Sequence, residues 1–196
     1  MNVNPLFPYP NIHTHKARNS LQVQNLFPED TPPQQGVFSV GIHPCYIVGD
    51  GTEQWEKVLE HTTHPLCVAI GECGLDKRAS APLSLQEKVF RWHISLAQQL
   101  HKPLIIHCVR SYGEIIRLRK ETGATGLWIL HGFRKSEALA HQLLGVGIKL
   151  SFGTALLHDT RLQHLAKILP REDYFLETDE DPTPIEEVLT FLHSKS

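Results

Sequence analysis

Eight short apolar runs, closed by turn residues and separated from the third onward by amphipathic helical patterns, constrain this chain more than any other feature. The runs occupy residues 10–15, 21–27, 37–42, 66–73, 103–108, 126–131, 147–152 and 173–178. Helical periodicity covers 52–60, 85–101, 112–120, 136–144, 161–169 and 185–193. Such alternation is expected of a parallel sheet covered by helices, and eight strands is the number of the closed barrel. The chain has 196 residues, against roughly 250 for a typical barrel of this type. The reading is therefore α/β: a trimmed or distorted (β/α)8 TIM-type barrel forming one domain over residues 1–196.

The trimming falls near the start. Only residues 16–20 and 28–36 join the first three strands, too few for covering helices. Apolar strand surface is expected to be bare there, or covered by a partner copy or the first ten residues, which makes a homo-oligomer through this flank an expectation. Two helix starts carry local signals. Ser84-Leu85-Gln86-Glu87 has capping-box spacing, and Thr183-Pro184 places proline at a first helical position.

Composition excludes some classes. A hydrophobic content of 41% with 20% charged residues is not that of a disordered chain. A net charge of -2 gives no global attraction to nucleic acid or to an anionic membrane, so local patches must carry any such binding. No apolar run approaches a membrane span and the start lacks a basic leader pattern, so the chain reads as soluble, with no membrane partner. Cys45, Cys67, Cys73 and Cys108 form no C-x-x-C pair and read as reduced thiols of a cytoplasmic protein.

The polar residues at the strand ends supply the chemistry. His13 and His15 end the first run, Glu72 the fourth, His107 the fifth and His131 the sixth, while Asp179 follows the eighth. In a parallel barrel these ends converge on one face, where catalytic groups of this architecture sit. Two residues apart on a strand, His13 and His15 point to one side, and one cation can bind both. Four imidazoles and two carboxylates suffice for two divalent ions, zinc, manganese or magnesium, sharing one bridging carboxylate. The other histidines, His93 among them, read as surface or packing residues, His43 excepted.

The chain resembles the TatD family of metal-dependent deoxyribonucleases and related hydrolases, within the wider amidohydrolase-like metal barrels. The resemblance is carried by Asn11-Ile12-His13-Thr14-His15, Gly41-Ile42-His43-Pro44, the run from Ile70 to Asp76, the run from Pro103 to His107, His131-Gly132-Phe133, and Glu177-Thr178-Asp179. It implies that His13, His15 and Asp179 hold one metal, that His107 and His131 hold the other, and that Glu72 bridges them. It further implies hydrolysis by a metal-activated water, with Asp179 and Glu72 as catalytic residues, Asp179 accepting the proton, and His43 contacting a substrate phosphate. Asn11 stands where the family usually has aspartate, which removes a charge beside the histidine pair. The family's arginine two places after the fifth-strand histidine is here Val109, with Arg110 next.

Lys16, Arg18, Lys77, Arg78, Arg110, Arg134 and Lys135 all follow strands on the side of the proposed metals. They read as a basic rim suited to a phosphate-bearing substrate, expected to be DNA, with Arg110 and Arg134 as contacts beside His43. A small-molecule amidohydrolase is an alternative, as is a relative that binds metal without turnover, because fold and ligands alone do not select a reaction.

Overall fold

The structure, a computed structural model, describes Leu6 and residues 8–194. Its eight strands are β1 (Asn11–Thr14), β2 (Gln22–Leu26), β3 (Val37–Val40), β4 (Cys67–Asp76), β5 (Leu104–Val109), β6 (Trp128–Leu130), β7 (Ile148–Phe152) and β8 (Tyr174–Leu176). All neighbours pair parallel, in chain order. A parallel bridge between Thr14 and Asp179 brings β8 back to β1. His15 N–H donates to Asp179 O at 3.0 Å and Asp179 N–H to His13 O at 3.1 Å, so the seam itself joins residues proposed as ligands. The barrel is thus nearly closed, with edge groups of β1 and β8 paired to each other.

Helices α1 (Thr52–Thr62), α2 (Leu83–Leu100), α3 (Tyr112–Thr122), α4 (Glu137–Gly145), α5 (Thr160–Ile168) and α6 (Ile185–Ser194) follow from β3 onward. No helix links β1 to β2 or β2 to β3, as the short linkers require.

The alternation of strand side chains builds two cores. Leu104, Ile106, Trp128, Leu130, Leu150 and Phe152 face outward against Val89, Phe90, Leu118, Leu143 and Leu165 of the helices. Ile12, Val23, Ala69, Ile105 and Ile129 fill the interior together with Leu6. Fully burying each such aliphatic side chain contributes ~1.5–3 kcal/mol. Ile105 lies two residues before His107, so this plug forms the floor of the site.

Two expectations change. Ile12 of β1 and Val23 of β2 pack into the interior cluster, and Gln22 and Gln24 alternate with Val23 along β2, so the flank carries polar side chains there rather than a bare apolar face. On that flank Leu21, 57% exposed, is the large apolar side chain left open among the described residues. Of the first ten residues, Leu6 packs into the interior cluster, while residues 1–5 and 7, which the expected cover also included, lie outside the described residues. The α2 start also differs, with Pro82 as N-cap and Ser84 already inside the helix. Gln86 is drawn instead to the end of β4, where its Oε1 accepts from Asp76 N–H at 2.8 Å and its Nε2 donates to Asp76 O at 3.0 Å. The last helix begins one residue after Pro184.

Candidate metal centre

Glu72 owes its position to glycine. Gly71 has φ +118° and a Cβ there would lie 2.3 Å from Ile105 O; Gly74 has φ +144° and a Cβ would lie 2.1 Å from His107 O. Only residues without a side chain let β4 run this close to β5. The approach brings Glu72 Oε1 to 2.8 Å from His107 Nδ1. From the other side, Glu72 N–H donates to Asn25 Oδ1 at 2.7 Å, which anchors the backbone to β2.

The carboxylate of Glu72 faces two groups of ligand atoms. Oε1 lies 2.8 Å from His107 Nδ1 and 2.7 Å from His131 Nε2, and those nitrogens are 3.5 Å apart. Oε2 lies 3.5 Å from His13 Nε2 and 3.7 Å from His15 Nε2. Asp179 Oδ1 completes that second group at 3.5 Å from His13 Nε2 and 3.4 Å from His15 Nε2. All six strand-end residues therefore meet.

Separations of 3.4–3.7 Å are long for hydrogen bonds, whose usual range is about 2.7–3.2 Å. They match a coordination polyhedron: ligands ~2.0–2.1 Å from a tetrahedral zinc stand ~3.3–3.4 Å apart. Both ring nitrogens of His13 are buried without a hydrogen-bond partner. An orphaned buried imidazole is costly unless something fills its lone pair. The nitrogen and oxygen donors present thus fit a divalent cation.

Electrostatics agree. Burial opposes ionisation of Glu72, but the neighbouring His131 charge and contacts to His107 and His13 outweigh it and hold the carboxyl well below its usual range. Asp179 is likewise held down against its burial by His13 and His15. Asp179 and then Glu72 raise His15 to about 9. His131 is raised against its burial by Glu72 and Glu177, and His13 against its burial and the His131 charge by Asp179 and Glu72. Protons and a divalent cation compete for the same nitrogens.

Behind the ligands stands a layer of support. His107 Nε2 lies 3.2 Å from Asp76 Oδ2, so the ring is held between two carboxylates. Glu177 Oε1 accepts from Gly132 N–H and lies 3.6 Å from His131 Nδ1, and its Oε2 accepts from Ser151 Oγ at 2.8 Å. Asn11 Nδ2 donates to Thr178 Oγ1 at 2.9 Å, and Asn11 Oδ1 accepts from His13 N–H at 3.4 Å. Asn11 therefore fixes the His13 backbone, while the His13 ring stays unpartnered. Asp76 and Glu177 sit in the recognised motif runs, but only the fold shows which ring each supports; Asn25, Ser151 and Gln86 carry no sequence signal of this kind.

His43 reaches the site from the loop after β3, its Nε2 3.4 Å from Glu72 Oε1. Its Nδ1 accepts from Cys45 N–H at 3.1 Å, which assigns the ring proton to Nε2. His43 thus presents a donor to the site rather than a lone pair. One residue earlier, Ile42 N–H donates to Nε2 of the buried His93, whose Nδ1–H donates to Val89 O at 2.8 Å. Partial burial and then Asp76 push the Cys45 thiol up to about 11, away from nucleophilic use.

A cavity of about 190 Å³ opens over these groups, lined by His15, Phe27, His43, Tyr46, Glu72, His107, His131, Asp179 and Glu180. Arg110 and Arg134 are exposed and outside this lining. Others of the expected basic rim are already paired: Lys77 with Glu114, Arg78 with the Asp76 that backs His107, Arg18 with Pro182 O. The acidic loop after β8 adds Glu180 to the cavity wall, so the mouth is less basic than the sequence suggests. A larger cavity, about 810 Å³ between α5 and α6, holds none of the six ligand residues.

The sequence matches the family model described as TatD related DNase over residues 11–189. A protein of Buchnera aphidicola named as an uncharacterized metal-dependent hydrolase is 35% identical over 147 residues, covering 73% of this chain and 55% of that protein. The 3'-5' ssDNA/RNA exonuclease TatD of Erwinia amylovora is 27% identical over 146 residues, covering 72% of this chain and 56% of that protein. The chain spans just over half the length of these curated relatives. In fold it is similar to the crystal structure of the TatD homologue YJJV from Escherichia coli, with a TM-score of 0.73 over 97% of this chain and 96% of that one, at 17% identity. With its strands, its ligand-bearing strand ends and nearly its whole length matched, the chain belongs to the TatD related DNase family.

Proposed function

We propose that this chain is a divalent-metal-dependent phosphodiesterase, a deoxyribonuclease that removes nucleotides from DNA ends. The observation that carries the reading is the split of the Glu72 carboxylate, one oxygen toward His107 and His131, the other toward His13 and His15. Divalent cations would be held by His13, His15 and Asp179 and by His107 and His131, with Glu72 shared between the two groups. Divalent ions held there, zinc, manganese or magnesium, acidify a water and neutralise charge on a phosphoryl oxygen.

The protein's own groups do the rest. Glu72, its side chain 4% exposed, stays ionised and fixes the spacing of the two ligand groups. Asp179, its side chain 44% exposed, is the more open of the two ligand carboxylates and accepts the proton of the attacking water. His43 donates from Nε2 to a non-bridging phosphate oxygen, in the protonation state its bond to Cys45 N–H enforces. Arg110 and Arg134, outside the cavity lining, would serve only more distant phosphates of a longer strand. The names of relatives that act on single-stranded DNA and RNA support a nucleic acid substrate. Four cysteines without a disulfide support a cytoplasmic setting.

The test is hydrolysis of single-stranded and duplex DNA by protein loaded with magnesium, manganese or zinc, together with Glu72→Ala and Asp179→Ala. Cleavage that both variants abolish supports the reading. Intact DNA alongside turnover of a non-phosphate amide or ester would replace it with an amidohydrolase.

A further inference from the structure

The cavity of about 810 Å³ between α5 and α6 plays no part in the chemistry above. Pro170 helps to create it. The residue before a proline is pushed to extended backbone, so α5 stops at Ile168, and the 3-10 turn Arg171–Asp173 leads straight into β8. Leu189, Phe191 and Leu192 of α6 line the cavity and are only partly buried, and Tyr174 of β8 lines it from the sheet. From α5 the apolar contribution is the small Ala166, which leaves that wall incompletely packed.

The fixed charges of the lining are of one sign. Lys167 and Arg171 border the cavity, with His164 and His193, and among the described residues no Asp or Glu does. Arg171 is held in place, its Nη1 donating to Tyr174 O at 2.7 Å and its guanidinium 4.9 Å from the Tyr174 ring centroid. Neither Arg171 nor Lys167 pairs with a carboxylate among the described residues. Two cations without counter-ions beside an apolar wall complement an anion with an apolar body. The volume falls within the ~300–1,000 Å³ of small-molecule sites, which favours an organic anion over a macromolecule.

We propose that this cavity binds an amphipathic carboxylate, a single acyl chain whose tail lies against Tyr174, Leu189 and Leu192 and whose head group is held by Lys167 and Arg171. Tyr174 begins β8 whereas Asp179 follows its end, so the site lies at the opposite end of the strand from the metal centre. It stands independently of the phosphodiesterase reading.

The experiment is calorimetric titration of the full chain with dodecanoate, decanoate, acetate, dodecanol and dodecyltrimethylammonium, each kept monomeric. Dodecanoate should bind with one site per chain and acetate should not bind. Decanoate should bind roughly tenfold more weakly than dodecanoate, since each buried methylene is worth a factor of about four. Lys167→Glu should weaken dodecanoate by roughly tenfold and Lys167→Arg should not, while both variants keep the metal affinity of the unaltered protein. Backbone NMR shifts on adding dodecanoate should centre on Ala166, Lys167 and Tyr174. No binding, equal binding of the cationic and anionic amphiphiles, indifference to Lys167→Glu, or shifts centred elsewhere would overturn the proposal. So would sedimentation with phosphatidylglycerol vesicles without binding of the free acid, which would make the face a membrane contact. A dimer that Lys167→Glu disperses and dodecanoate does not would assign the face to a second copy instead.

Discussion

His93 offers a quantitative test of how the barrel wall supports the site. The ring is fully buried in α2, with Nδ1–H on Val89 O and Nε2 receiving Ile42 N–H, so both nitrogens are committed only while the imidazole is neutral. Burial lowers its pKa from the ordinary 6.5 to about 4. The unfolded chain takes up a proton below about 6.5, and the folded one does not until about 4. The unfolded state therefore binds more protons in that window, and stability falls as pH drops through it; above 6.5 the contribution is intact. At ~1.4 kcal/mol per pH unit the window is worth about 3 kcal/mol, a large share of a typical ~5–15 kcal/mol. Urea unfolding from pH 7 down to pH 4, in EDTA, should show this excess loss in the unaltered protein relative to His93→Gln, whose amide cannot titrate. The metal-ligand histidines titrate in both proteins and cancel in the difference. Parallel pH profiles would refute the argument, as would a His93 ring that titrates near 6.5 by NMR in the folded protein.

Asp76→Asn should weaken metal binding or activity by roughly 10- to 100-fold, measured by metal titration, because it removes the carboxylate behind His107 Nε2; an unchanged affinity would separate Asp76 from the centre. Metal affinity should rise with pH up to about 9, with proton release on binding in weakly buffered solution, since Asp179 and Glu72 raise His15 to that value in the metal-free protein. A pH-independent affinity between 6.5 and 9 would contradict that account. Gly74→Ala should cost more than ~1–3 kcal/mol in chemical unfolding, because a Cβ meets His107 O at 2.1 Å on a backbone of positive φ. A change within ~0.5 kcal/mol would mean β4 and β5 can separate without cost.

Much of the fold was legible because outward positions such as Leu104 and Ile106, and inward ones such as Ile105, together make the continuous apolar runs of a sheet buried on both faces. The six ligand residues were legible for a related reason: a polar residue ending an apolar parallel strand can point only to the common C-terminal face. What failed lies in contacts between distant segments. Ser84 carries a capping signal, but Asp76 recruits Gln86 through its backbone and the helix starts earlier, a tertiary bond no local spacing encodes. Arg110 and Arg134 follow the right strands yet fall outside the cavity; position along the chain gives the face of the barrel but not the direction of a long side chain. His93 reads as an ordinary helix residue until Ile42 N–H is seen to need an acceptor. The flank over β1 and β2 looked apolar because Ile12 and Val23 were counted without fixing which face they turn to.

The central claim is that six side chains from the ends of five strands surround divalent cations with Glu72 between them. Anomalous scattering from crystals grown with manganese tests it most directly. Two peaks are predicted, one among His13, His15 and Asp179, the other beside His107 and His131, with Glu72 contacting both. No peak, or peaks away from Glu72, would contradict it.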